Sequence, residues 1–229
     1  MSYTNSALAT LFIYSPHFSE RFGDISKITV HHAAAIASAK EICNHFQSKS
    51  IKASANYVIG KDGEIALCVP EKCRAWTSNN AANDNMAVTI EVANSTGAPS
   101  WEVSFAAWAS LVNLCIDICR RNRIKKLTYT GGPSGDLTLH RFFAATECPG
   151  PYLTSKMSEL AQLVNDALDP PRFQSLDELP EWARPSILHL IQQGYLRGNS
   201  AGLDLSIDMV RILVVLNRAL MEGGVSDES

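Results

Sequence analysis

Four side chains raise the first chemical question. The stretch DISKITVHH (24–32) closes on His31 and His32, and TLHRFFAATECPGPYL (138–153) carries His140 and Cys148. Imidazole nitrogens and thiolates are donors that zinc prefers, and a catalytic zinc takes three protein ligands while a fourth position stays open to water. His31 or His32, together with His140 and Cys148, would fill that set. Spacing alone is weak ground, because six histidines and six cysteines offer many triples. The surroundings of Cys148 strengthen it. Pro149 and Pro151 remove backbone donors and fix φ, so Cys-Pro-Gly-Pro is a rigid turn that holds a thiol in one place.

The elements that must position these residues follow from hydrophobic patterning. ITVHH ends a β-branched run, which is how a buried strand delivers side chains to a sheet edge. SAKEICNHFQSKS (38–50) predicts a helix with Ile42 and Phe46 on one face and Lys40, Glu41 and Lys49 toward water. NYVIGKDGEIALCV (56–69) predicts two strands around the Asp62-Gly63 turn. MAVTIEVAN (86–94) predicts another strand, and it carries Glu91 in an otherwise apolar setting. A carboxylate there is costly to bury unless it is paired or faces a cleft, which makes Glu91 a candidate acid–base group.

VSFAAWASLVNLCIDICRRNR (103–123) has apolar residues at helical spacing from Phe105 to Ile118 and a basic last turn. KLTYTGGPSGD (126–136) predicts a strand breaking into a Gly-rich loop, and YLTSKMSELAQLVNDAL (152–168) a further helix. Strands and helices alternate, so the expected fold class is α/β: a central, mostly internal mixed β-sheet flanked by helices. DPPRFQSLDELP (169–180) breaks the pattern as a linker. Two amphipathic helices follow, in EWARPSILHLIQQGYLRG (181–198) and LSIDMVRILVVLNRALMEGG (205–224). Residues 1–170 are therefore expected to form the main domain, and residues 171–229 a linker with a small helical domain too short to hold a large core of its own.

Composition excludes several classes. The chain of 229 residues is 46% hydrophobic and 19% charged, with a net charge of -3. Residues 171–229 hold five Arg and no Lys against eight acidic residues, and residues 1–170 balance at fifteen each. Neither part offers the basic stripe that a phosphate backbone requires, so nucleic acid is not an expected partner. No apolar run reaches the ~20 residues of a membrane helix, and the N-terminus does not read as a signal peptide, so no stable membrane association and a cytoplasmic site of synthesis are expected. The six cysteines lack framework spacing and read as free thiols. Cys115 and Cys119, one helical turn apart, read as core packing. His17, His45 and His189 read as surface or second-layer residues.

The assembled pattern resembles the zinc-dependent N-acetylmuramoyl-L-alanine amidases, the family that includes phage endolysins of the T7-lysozyme type and peptidoglycan recognition proteins. The matching segments are ITVHHA (28–33), NYVIGKDGEI (56–65), CRAW (73–76), NMAVTIEVAN (85–94), LTLH (137–140) and TECPGPYL (146–153). The resemblance implies Zn2+ held by His31, His140 and Cys148, with His32 on the opposite face of its strand. Some members use a tyrosine ahead of the Asp-Gly strand; that slot falls here on Ala55, and Tyr57 takes the place of a core aromatic. Others use a glutamate on the IEV strand, where Glu91 stands. Thr146, two positions before the third ligand, would either bind the oxyanion or cap the cysteine loop. Trp76 and NNAANDN (79–85) resemble a loop flanking the substrate groove.

The implied reaction is hydrolysis of the amide between N-acetylmuramic acid and L-alanine in bacterial peptidoglycan. The implied setting is a phage or prophage endolysin. A host autolysin and a non-catalytic peptidoglycan-binding protein on the same fold are the alternatives. For the C-terminal helices the implied roles are wall binding or homodimerisation.

Overall fold

The computed structural model describes residues 3–223. Its chain divides after Leu168 into two compact units. The first is built on a six-stranded mixed sheet of β1 (Leu11–Phe12), β5 (Ile65–Leu67), β4 (Tyr57–Ile59), β7 (Ala87–Val92), β3 (Lys27–His32) and β8 (Leu137–Leu139), in that spatial order. The β-branched runs occupy the middle: Ile28, Val30, Val88, Ile90 and Val92 are fully buried, as expected of strands covered on both faces.

β3, β7 and β8 run parallel, with His31 opposite Glu91 and Val30 opposite Leu139. Their C-terminal ends therefore meet at one edge, the place where open α/β sheets present ligand sites. β4 pairs parallel to β7 and antiparallel to β5 through the Asp62-Gly63 turn, where Gly63 has φ 87°. A minor ladder joins β2 (Phe18–Glu20) to β6 (Cys73–Ala75).

Alternation along each strand separates two cores. Tyr57 and Ile59 point into the larger one, with Leu111, Leu114 and Ile118 of α3 (Phe105–Asn122) and Leu153, Met157 and Leu160 of α4 (Gly150–Leu168). Val58 points the other way, to Ile42, Cys43 and Phe46 of α1 (Ala39–Phe46). Ser38 caps α1 reciprocally with Glu41, each side chain accepting the other's backbone N–H. Cys115 and Cys119 lie buried along α3, and the Cys68 thiol meets Cys43 across the smaller core.

Three local expectations are corrected. Residues 126–130 form no strand; Leu127 is buried from an irregular segment, and Asp136 and Leu137 donate to the Thr128 carbonyl, so pairing with β3 begins only after Gly131-Gly132-Pro133. NNAANDN is not a plain loop, because Asn80 accepts from the Asn83 amide and starts α2 (Ala81–Met86). The linker also contributes a strand, β9 (Arg172–Phe173), paired antiparallel with β10 (Leu205–Ser206).

The second unit holds α5 (Arg184–Gln192) and α6 (Ile207–Gly223), closed over a core of Leu179, Ala183, Ile187, Leu190, Val210 and Val214. Among the described residues no helix is long and apolar enough to cross a membrane.

Candidate active site

His31 leaves the end of β3 with its side chain 1% exposed. Its Nδ1 lies 3.7 Å from Cys148 Sγ and 3.9 Å from Glu91 Oε1, and its ring centroid is 4.7 Å from that of His140. One donor atom from each of His31, His140 and Cys148 falls within 4.8 Å of the others. A metal ion could be held there. His32, on the other face of β3, points away from this cluster and stands edge-on to Trp101 at 5.5 Å.

The loop from β8 is tied to itself. His140 opens a 3-10 turn directly after β8, and the Arg141 amide donates to the Cys148 carbonyl at 3.1 Å. The Cys148 amide donates to Thr146 Oγ1 at 3.2 Å, so the threonine hydroxyl braces the cysteine. At Gly150, φ is 83°, a conformation that strains any residue with a side chain, and a Cβ would also crowd the His32 ring at 3.2 Å and Trp101 Cβ at 3.3 Å. Pro151 follows in the first turn of α4, where its missing donor costs nothing.

Burial sets the protonation states. It lowers the pKa of His31 well below the usual imidazole range, with His140 and His32 adding to the effect, and it lowers His140 against a small opposing pull from Asp84. Both rings are neutral near pH 7, with lone pairs available to a metal. Burial, reinforced by the neighbouring Glu91 charge, pushes the Cys148 thiol up. Burial alone pushes Glu91 up to about 7. His31 Nε2 and Glu91 Oε2 are buried without a hydrogen-bond partner among the described residues. Orphaned buried acceptors are costly in a fold and are common where a ligand completes the set.

Two cavities adjoin the centre. One, about 420 Å³, reaches His140 between Trp76, Asn79, Asn80 and Asp84. The other, about 390 Å³, reaches Glu91 and His32 and is lined by Ala35, Ile42, His45 and Phe46. His45, read from sequence as a surface or second-layer residue, therefore borders a cavity beside Glu91. Asp84 lies within the NNAANDN stretch that the resemblance sets beside the groove, without being singled out by it; its carboxylate accepts from the Thr77 and Ser78 amides and the Ser78 hydroxyl, and so fixes the wall of the first cavity. Trp76 is held at that wall by donating Nε1–H to Ser19 Oγ at 2.7 Å. Tyr57 is remote from the cluster: its buried hydroxyl donates to Glu71 Oε1 at 2.6 Å and accepts from the Ser6 amide. His17 packs at 5.8 Å from Trp76, and His189 bonds Asn217 in the second unit.

The family of N-acetylmuramoyl-L-alanine amidases matches residues 21–151, more than half the chain and the whole of this centre. The chain belongs to that amidase family. The amidase is thus a hydrolase of the bond between N-acetylmuramic acid and L-alanine in peptidoglycan. No curated protein sequence is significantly similar to it. Solved structures show its fold. The endolysin N-acetylmuramoyl-L-alanine amidase LysCS from Clostridium intestinale superposes with a TM-score of 0.51 at 17% identity, covering 70% of the amidase and 99% of LysCS. LysC from the same organism gives 0.50 at 18% identity, covering 67% and 97%. A selenomethionine derivative of AmpD gives 0.51 at 17%, covering 71% and 99%.

Proposed function

We propose that this amidase is a zinc enzyme of the endolysin type, with His31, His140 and Cys148 as metal ligands and Glu91 as the proton-transfer group. The observation that carries the reading is the convergence of three donor atoms within 4.8 Å beside a buried carboxylate. The donor set suits the ion, since two neutral imidazoles and a sulfur are borderline-soft ligands, and His31 turns its Nδ1 toward Cys148 Sγ at 3.7 Å. Zinc, when bound, supplies Lewis acidity to a water molecule and to the scissile carbonyl.

The remaining work falls to the chain. Glu91, with a pKa of about 7, is able both to accept and to release a proton near neutrality. Its carboxylate takes the proton of the attacking water and returns it to the nitrogen of the departing L-alanine, so that the leaving group departs as a neutral amine. Thr146 acts as a positioning residue through the Cys148 amide. The two cavities beside the centre give the glycan and the stem peptide room on either side of the scissile amide. Support for the endolysin setting comes from the likeness to LysCS and LysC, and the second unit is read as an attachment or self-association module.

The test is digestion of purified sacculi followed by mass analysis. New free L-alanine amino termini, lost with a chelator and restored by zinc, are expected. New reducing sugar ends, or release indifferent to chelation, would overturn the assignment.

A further inference from the structure

The last helix has two apolar faces and uses one. Val210 and Val214 of α6 are buried against α5, and Asn217, 3% exposed, pins that face by accepting a hydrogen bond of 2.6 Å at His189 Nδ1. The helix is thereby fixed in rotation. Met209, Ile212, Leu216 and Leu220 then form a second stripe, spaced by three, four and four residues, and are 41%, 60%, 51% and 55% exposed. Val215 flanks it at 63%, whereas Met221 continues the buried face, its sulfur 3.7 Å from Asn217 Nδ2. Of eighteen large apolar side chains exposed among the described residues, six lie on α6 between Met209 and Met221.

We infer that this stripe is a self-association surface on which α6 of a second copy of the chain docks. The area fits. A standard interface takes about 800 Å² from each partner, and a homodimer makes about 65% of it apolar, or roughly 520 Å². Five half-exposed large side chains at about 100 Å² each offer roughly 500 Å², close to that apolar share and toward the upper end of what a monomer leaves open to water.

The chemistry of the stripe favours a copy over other occupants. It has no aromatic ring to stack on the C–H face of a sugar. It has no cation for an anionic wall polymer either, since Arg211 lies off the stripe and pairs with Asp208 at 3.1 Å. An anionic lipid surface is opposed by the net negative charge of residues 171–229. An aliphatic stripe is complementary to itself about a twofold axis, the commonest closed symmetry. An antiparallel pair would set Ile212 against the partner's Leu216 and Met209 against the partner's Leu220, with opposed helix dipoles. The product is an enzyme with two catalytic units joined on one polymeric substrate, which raises residence on the wall by effective concentration.

The inference is independent of the metal site and is tested on the full-length protein by light scattering after size exclusion, from about 1 to 100 µM, the range in which an interface of this size associates. The wild type is expected at twice the 25.0 kDa chain mass, and the double variant Ile212→Glu/Leu216→Glu at 25.0 kDa with unchanged circular dichroism. Leu220→Lys, a milder change at the end of the stripe, should weaken association at least tenfold, and Phe105→Glu, at an 86% exposed position of the first unit, should leave it intact. A wild type that stays at 25.0 kDa throughout overturns the inference, whether the stripe then proves to bind sacculi or nothing at all. Persistence of the doubled mass in both α6 variants overturns it equally.

Discussion

Replacing Glu91 by glutamine should make the metal-free protein more stable at alkaline pH while removing its activity. The carboxyl is 12% exposed, and its pKa is pushed up to about 7 by burial alone, against 4.5 in water. A folded-state pKa above the unfolded one means that the folded state holds the extra proton between those two values. The stabilising contribution is therefore complete below pH 4.5 and is lost as pH rises through 7. Over that window the loss is about 2.5 pKa units at 1.36 kcal/mol each, or about 3 kcal/mol.

Glutamine keeps the shape and never ionises. His31 also makes stability depend on pH, but in the opposite sense: its depressed pKa costs stability as pH falls below 6.5, and it is present in both proteins, so it cancels in the difference. The assay is thermal unfolding of the first unit in chelator at pH 5 and pH 8. Glu91→Gln should match the wild type near pH 5 and exceed it at pH 8 by about 5 to 10 °C, at 2 to 4 °C per kcal/mol for a domain of this size. Turnover with zinc should fall by about 100-fold or more, the usual weight of a general acid–base group. A stability difference that does not change with pH would refute the claim that burial sets the protonation of Glu91.

Three further outcomes are expected. Cys148→Ser and His31→Ala should each cut the zinc content measured by mass spectrometry from about one per chain to below about 0.1, with circular dichroism unchanged; retention of stoichiometric metal would remove that residue from the ligand set. Glu71→Ala should destabilise by about 3 to 5 kcal/mol in urea, because Glu71 is fully buried and its carboxylate holds both the Tyr57 hydroxyl and the Arg121 guanidinium at 2.6 Å; a loss below about 1 kcal/mol would show that the network relaxes into water. Thr146→Val should lower kcat less than about tenfold and stability by about 1 kcal/mol, since the hydroxyl only accepts the Cys148 amide. A drop of about 100-fold or more in kcat would instead mean contact with the developing oxyanion.

Much of the site was legible because its parts sit on strong local signals. The β-branched run into His31 and His32 pointed to a strand end, and the period of two put the pair on opposite faces, while the choice of His31 came from the family resemblance. Glu91 stood out as a lone carboxylate among apolar residues. What patterning does not carry is register: only the parallel pairing of β3 with β7 brings Glu91 opposite His31. The short elements were hidden for the same reason. β8 is three residues, and β1, β9 and β10 are two each, so no alternation can develop within them. KLTY misled because Leu127 and Tyr129 pack on the core from an irregular segment, a tertiary effect that overrides β propensity. Asp84 and His45 reach the cavities through α2 and α1, and neither residue type nor spacing distinguishes them from ordinary polar side chains.

Burial links the fold of this edge to its chemistry. Three parallel strands bring two imidazoles and a carboxylate to one place, and the braced turn after β8 adds a thiol. Charged groups at such a site would be expensive, and each responds by shedding charge: the histidines lose protons, the cysteine keeps one, and Glu91 sits at its midpoint near neutrality. The protein can therefore fold around an uncharged cluster. On the proposed ligand set, metal binding would expel the Cys148 proton, so affinity should rise with pH, and the cation would balance the negative charge left on sulfur. Glu91, half-ionised near neutrality without the metal, would be drawn further toward its carboxylate form by a cation beside it, so the site gains its base as the metal arrives.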